Sequence, residues 1–115
     1  MRTGIVIALN NNEKDINSYK VVNFLESFTD MYICFVDNGS TDKTLDILEA
    51  LGKKFPNNIS IVKIKNNKGE DAALKVGFRY LLNKKNVSKL NFSNQFNLDK
   101  IIRFSEFSTN FLLEG

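Results

Sequence analysis

Three short apolar runs restrict the fold of this chain more than any other feature. Each is stopped by a polar loop and followed by a stretch with apolar residues at helical spacing. Gly4-Ile5-Val6-Ile7-Ala8-Leu9 is continuous and rich in β-branched side chains, the pattern of a strand buried on both faces of a parallel sheet. It ends in Asn10-Asn11-Asn12-Glu13. Ile16, Tyr19, Val22 or Val21, Leu25 and Phe28 then recur at the period of a helix, expected between Asp15 and Phe28. Tyr32 to Val36 is the second run, stopped by Asp37-Asn38-Gly39. Ser40, Thr41 and Asp42 can each cap the helix that follows, whose buried stripe is Thr44, Ile47, Leu48, Leu51 and Phe55. Pro56 ends it. Ile59 to Ile64 is the third run. Asn66 to Gly69 forms its loop, and Ala73, Val76, Gly77, Tyr80 and Leu81 form the buried face of a third helix reaching about Asn83.

This order predicts an α/β fold: three layers, α/β/α, around a mostly parallel, Rossmann-like sheet of three or four strands with right-handed crossovers. Ligands bind such sheets outside the carboxyl ends of the strands. The loops at 10–13, 37–42 and 65–71 should therefore share one edge. Beyond Asn83 the pattern weakens. Val87 to Phe92 fits a fourth strand, and Asn97 can cap a last helix with Leu98, Ile101 and Ile102 on its apolar face. No repeat or linker breaks the chain. It reads as one domain over residues 1–115, with 84–115 as a divergent C-terminal segment.

Composition removes several kinds of chemistry. The chain has no histidine, which excludes a Ser-His-Asp triad, a Cys-His pair and every His-based metal site. Cys34 is the only cysteine; inside an apolar run it should pack as a small hydrophobe. The net charge of +3 is spread over Lys53, Lys54, Lys63, Lys65, Lys68, Lys84 and Lys85 with acids between them. No basic face forms, and no nucleic-acid partner is expected. The apolar run Ile5 to Leu9 is too short for a signal sequence or a membrane span. The expected setting is cytoplasmic.

The stretches "IVIALNNNEKDI", "YICFVDNGSTDKTLDIL" and "NNKGEDAALKVGFRYLL" together resemble the first half of family 2 glycosyltransferases, which have the GT-A, nucleotide-diphospho-sugar transferase fold. The family's words are a P-x-Y-N-E-type loop, V-D-D/N-G-S-x-D-x-T, and N-x-G-x-x-x-A-x-x-x-G. The third is present as Asn67, Gly69, Ala73 and Gly77, and the likeness runs over about residues 4 to 82. It implies a UDP- or GDP-sugar ligand. Ala8, Asn10, Asn11 and Glu13 of the first loop and Asp37, Asn38, Gly39 and Ser40 of the second would line the nucleoside pocket, with Asn67, Lys68 and Gly69 close by. In that setting Asp37 can accept from a base N–H or a ribose hydroxyl, and Gly39 lets the backbone approach a ligand. Gly69 opens a helix whose N–H groups could face an anion, with Lys68 beside it. Asp37 and Asp42 can also serve simply as a strand stop and a helix cap, and Gly77 as a close-packing position.

The chain departs from the family at several points. Ala8 stands at the proline position and Asn10 at the aromatic one, so no ring stacks on a base. Asn38 replaces the second aspartate of the D-D form. Glu70 stands where many polyprenyl-phosphate sugar transferases have Lys or Arg, and Glu70 and Asp71 put two acids beside the implied phosphates. The family's D-x-D holds Mg²⁺ or Mn²⁺ against the donor phosphates; it aligns with Asn94 and Phe96, and Asp99 falls three residues later in the first turn of the last helix. No metal ligand and no catalytic residue is assigned, and the family's acceptor-binding half has no counterpart in this sequence. The expectation is a nucleotide-sugar-binding domain without catalysis of its own. Two alternatives stay open: an active transferase completed by a partner or by additional sequence, and a non-catalytic interaction module of doubly wound type. The Phe-rich tail (Phe92, Phe96, Phe104, Phe107, Phe111) should either fill the core or pair two copies as a homodimer.

Overall fold

The computed structural model describes residues 2–83 and 87–93, the latter and Arg2 as backbone. The order is β1 (Arg2–Leu9), α1 (Ser18–Ser27), β2 (Met31–Asn38), α2 (Thr44–Lys54), β3 (Ile59–Ile64), α3 (Glu70–Leu82) and β4 (Val87–Ser93). The strands form one four-stranded sheet in the order β3-β2-β1-β4, parallel throughout. The α/β expectation holds, and the fourth strand is present.

The strand order explains the layers. From β1 to β2 to β3 the chain steps outward in one direction; from β3 it returns past β1 to β4 on the far side. With crossovers of constant hand, a reversal of direction must put the crossing helix on the opposite face. The core divides accordingly. Ile5, Ile7 and Leu9 of β1 and Ile33 and Phe35 of β2 pack with Val21, Phe24 and Leu25 of α1 and Leu48 and Leu51 of α2. Val6 and Ala8, with Cys34 and Val36, pack with Ala73, Leu74 and Leu81 of α3. Each strand side chain buried this way contributes about 1.5–3 kcal/mol for a Val, Leu, Ile or Phe. Cys34 is buried on the α3 side, as expected of a small hydrophobe. Leu74 is an addition to the predicted face of α3, and Val76 and Tyr80 are only partly buried there.

Two boundaries move, each for a local reason. The first helix starts at Ser18 rather than Asp15. Residues 12–15 close a turn instead, with Asp15 N donating to Asn12 O at 2.9 Å and Asn12 Nδ2 to Asp15 Oδ2 at 2.9 Å. Asn17 then caps the helix by accepting from Lys20 N at 3.2 Å. The second strand does not stop at Val36. Asp37 and Asn38 continue the ladder opposite Lys63 and Ile64, because the pairing outlasts the apolar run. Among the described residues no helix is long and apolar enough to cross a membrane. The expected last helix and Phe96, Phe104, Phe107 and Phe111 lie outside the described residues.

Candidate functional site

The loop after β1 is tied to the loop after β2 through three consecutive backbone N–H groups. Asn11 N donates to Ser40 Oγ at 3.0 Å, Asn12 N to Thr44 Oγ1 at 2.8 Å, and Glu13 N to Asp42 Oδ2 at 3.2 Å. The receivers fall at every second position of Ser40-Thr41-Asp42-Lys43-Thr44. The contact is returned by Asn11, whose Oδ1 accepts from Thr41 N at 2.8 Å and Asp42 N at 3.3 Å. Asn11 adopts φ 53°, a left-handed conformation that a short polar side chain tolerates. The polar residues of this word therefore serve loop-to-loop bracing more than helix capping. Only Asp42 also serves the helix start: its Oδ1 accepts from Thr44 N at 2.9 Å and from Thr44 Oγ1 at 2.6 Å. Partial desolvation opposes the charge on Asp42. The hydrogen bonds from Thr44, from the Glu13 N–H and from its own N–H outweigh it and hold the carboxyl below its ordinary value.

The loop after β3 is held by Asn38. Asn38 Nδ2 donates to Asn67 Oδ1 at 3.1 Å and to the Gly69 carbonyl at 3.2 Å, while its Oδ1 accepts from Lys68 N at 3.1 Å. Asn67 Oδ1 also accepts from Gly69 N at 2.8 Å. The Asn38 carbonyl accepts from Asn10 Nδ2 at 2.6 Å. One residue thus joins all three loops. Gly39 completes the seat: its φ is 71°, and a Cβ there would strike the Asn67 backbone nitrogen and lie 2.8 Å from the Asn66 carbonyl carbon.

These loops enclose a cavity of about 300 Å³ at the carboxyl end of β1, the strand where the chain's direction across the sheet reverses. Ala8, Leu9, Asn10, Asn12, Asn38, Asn67, Gly69 and Glu70 line it. Five of the eleven residues picked out by sequence are brought together here: Ala8, Asn10, Asn38, Asn67 and Gly69. The other six are placed elsewhere. Asn11 and Ser40 face each other across the loops, Glu13 reaches Asp42 through its backbone, and Gly39 lies under the Asn66–Asn67 peptide. Lys68 is exposed and anchored by its N–H. Asp37 shares the alternation of Ile33 and Phe35, so it belongs to the α1/α2 face, opposite Asn38. It is 1% exposed, and its Oδ1 is buried without a partner among the described residues. Leu9 and Asn12 are not among the site residues named from sequence, though Asn12 belongs to the 10–13 loop, and Glu70 enters the wall as one of the two acids expected beside the implied phosphates.

Bonding within the cavity wall fixes which polar atoms remain open. Asn10 spends its Nδ2 and Asn67 its Oδ1 on other loop atoms, so among the described residues Asn10 Oδ1 and Asn67 Nδ2 are unpaired. The network also fixes the orientation of both amides. The wall offers an acceptor, a donor and, at Glu70, a carboxylate. Among the described residues it contains no Lys or Arg.

Residues 5–84 match the family described as glycosyl transferase family 2. The chain belongs to that family. The fold agrees with solved structures. A mannosyltransferase, PcManGT from Pyrobaculum calidifontis in complex with GDP-Man and Mn²⁺, is 17% identical with a TM-score of 0.51 over 69% of this chain and 24% of that one. TarS 1-349 of S. aureus in complex with UDP-GlcNAc is 22% identical with a TM-score of 0.59 over 92% of this chain and 31% of that one. A second structure of S. aureus TarS 1-349 gives the same identity and TM-score over 92% of this chain and 32% of that one. This chain thus spans less than a third of the length of these two liganded glycosyltransferases. No curated protein matches it. Among the described residues of this family 2 chain, no group of three His, Cys, Asp or Glu side chains is placed to hold a metal ion. Asn94, Phe96 and Asp99 lie outside the described residues.

Proposed function

We propose that this chain is the donor-binding part of a glycosyltransferase and that its cavity receives the nucleoside end of a nucleotide sugar. The observation that carries the reading is that Asn10 Oδ1 and Asn67 Nδ2, on two residues lining a cavity at the sheet's switch point, have no partner among the described residues. One acceptor and one donor on the wall match in kind the N–H and the carbonyl of the recognition edge of uracil and of guanine. Family membership and the GDP-Man and UDP-GlcNAc held by two similar structures support the choice of ligand class. The chain's own residues bind and orient the ligand. A divalent ion, as in the mannosyltransferase complex, would supply relief of phosphate charge; the described residues do not form a ligand set for it, and no step is assigned to it.

Calorimetric titration of the full chain with UDP-GlcNAc and GDP-mannose tests the reading. We expect micromolar affinity for at least one and a loss of about tenfold or more on Asn67→Ala, which removes the open donor and frees Gly69 N. No binding of either ligand at millimolar concentration would overturn it.

A further inference from the structure

We infer that the cavity selects for the uncharged nucleoside and that Glu70 discriminates against phosphate. This rests on the nucleoside reading above and narrows it.

Among the described residues the lining consists of four asparagines, Ala8, Leu9, Gly69 and Glu70, so the formal charge they bring is negative. Glu70 is the first residue of α3, and Asp71 follows it in the same turn. A helix N-terminus ordinarily favours an anion through its free N–H groups and dipole. Here the chain supplies two carboxylates of its own, which occupy that favourable potential and would repel a third anionic group. The backbone N–H groups before the helix are committed as well: Lys68 N donates to Asn38 Oδ1 and Gly69 N to Asn67 Oδ1. The nearest cation in sequence, Lys68, lies outside the lining. A pyrophosphate leaving this cavity past Glu70 would meet no cation among the described lining residues and lose some energy to like-charge repulsion. A nucleoside meets the open amide atoms with no such penalty.

The test compares uridine with UDP, and guanosine with GDP, by calorimetry on the full chain in EDTA-containing buffer at low and high salt. The expected result is that neither diphosphate binds more than about threefold more tightly than its nucleoside. In Glu70→Gln the ratio of the two dissociation constants should move toward the diphosphate by about threefold, and further in Glu70→Lys, with the shift shrinking at high salt. Using the ratio removes any general loss of affinity in the variants. A native preference for the diphosphate above about threefold, or a ratio unmoved in both variants, overturns this inference and leaves the nucleoside pocket standing. If neither nucleoside nor diphosphate binds, the nucleoside reading itself falls and this inference with it.

Discussion

The Asn38 side chain donates to the Gly69 carbonyl at 3.2 Å while its own carbonyl accepts from Asn10 at 2.6 Å, so a single residue couples the first and third loops of the site. Its amide nitrogen and amide oxygen are both in use, the nitrogen twice. An aspartate of the same shape would keep the acceptor for Lys68 N and lose the donor. Asn38→Asp therefore places a carboxylate, 4% exposed in the native residue, against the Gly69 carbonyl. We expect a destabilisation of about 1–3 kcal/mol, the penalty for an unsatisfied buried polar group, read as a lower urea midpoint at pH 7. A midpoint equal to that of the native chain would show that the amide donor is dispensable.

Gly39 and Gly69 both have positive φ, 71° and 86°, but only Gly39 is also crowded. Alanine at Gly69 meets open space and suffers only the backbone penalty, about 1–3 kcal/mol for a conformation rarely adopted by L-residues. At Gly39 the added carbon runs into the Asn66–Asn67 backbone, so the third loop must lift off the second. Gly39→Ala should cost more than Gly69→Ala in thermal unfolding and should disturb the amide resonances of Asn67 and Lys68 in a ¹⁵N spectrum. Equal losses from the two variants would argue against the close seat.

Much of this architecture could be read from the chain, because its evidence is periodic. Short continuous apolar runs rich in β-branched residues, such as Ile5 to Leu9, mark strands covered on both faces, and the helices between them follow from i, i+3, i+4 spacing. For the candidate site, the meeting of the three loops was legible but the part each side chain plays in it was not. Ser40, Asn11 and Asn38 are polar residues in loops at strand ends, and sequence alone does not distinguish a side chain that faces a ligand from one that catches a neighbouring loop's N–H. That distinction depends on which loops approach each other in space. Asn11 and Ser40 lie 29 positions apart, and their pairing appears only once β1 and β2 are aligned. The extension of β2 through Asn38 was hidden for a related reason: ladder pairing with Lys63 and Ile64 does not require apolar side chains.

The two helical glycines should respond with opposite sign to alanine. In an exposed helix Gly→Ala gains about 1 kcal/mol. At Gly52 the new carbon would lie 2.9 Å from Ile61 Cδ1, the far end of a flexible side chain that can turn aside. At Gly77 it would overlap Val6 Cγ1 and lie 2.9 Å from Val36 Cγ2, two β-branched side chains fixed in the sheet. Gly77→Ala should therefore lose about 1–3 kcal/mol through overpacking, and Gly52→Ala should be neutral or stabilising. Chemical denaturation of both decides it: stabilisation by Gly77→Ala would mean that α3 does not rest on Val6 and Val36.

Asp42 makes the loop bracing sensitive to acid. Its carboxylate accepts from Thr44 N, Thr44 Oγ1 and Glu13 N, and its folded pKa lies below the ordinary value of 3.8. A carboxyl with a depressed folded pKa contributes stability that is fully present well above the unfolded value. That contribution is lost as the pH falls from there through the folded value. The native chain should therefore lose urea resistance as the pH is lowered from about 5 toward 3 more steeply than Asp42→Asn does. Asparagine keeps an acceptor for Thr44 N but has no charge to titrate, so the two curves should converge at low pH and separate above it, with the native chain the more stable. The Glu13 amide proton supplies a local check. It should exchange faster with solvent in Asp42→Asn at pH 6, where the native carboxylate holds it, and parallel curves for the two proteins across this range would show that the Asp42 charge does not secure the first loop.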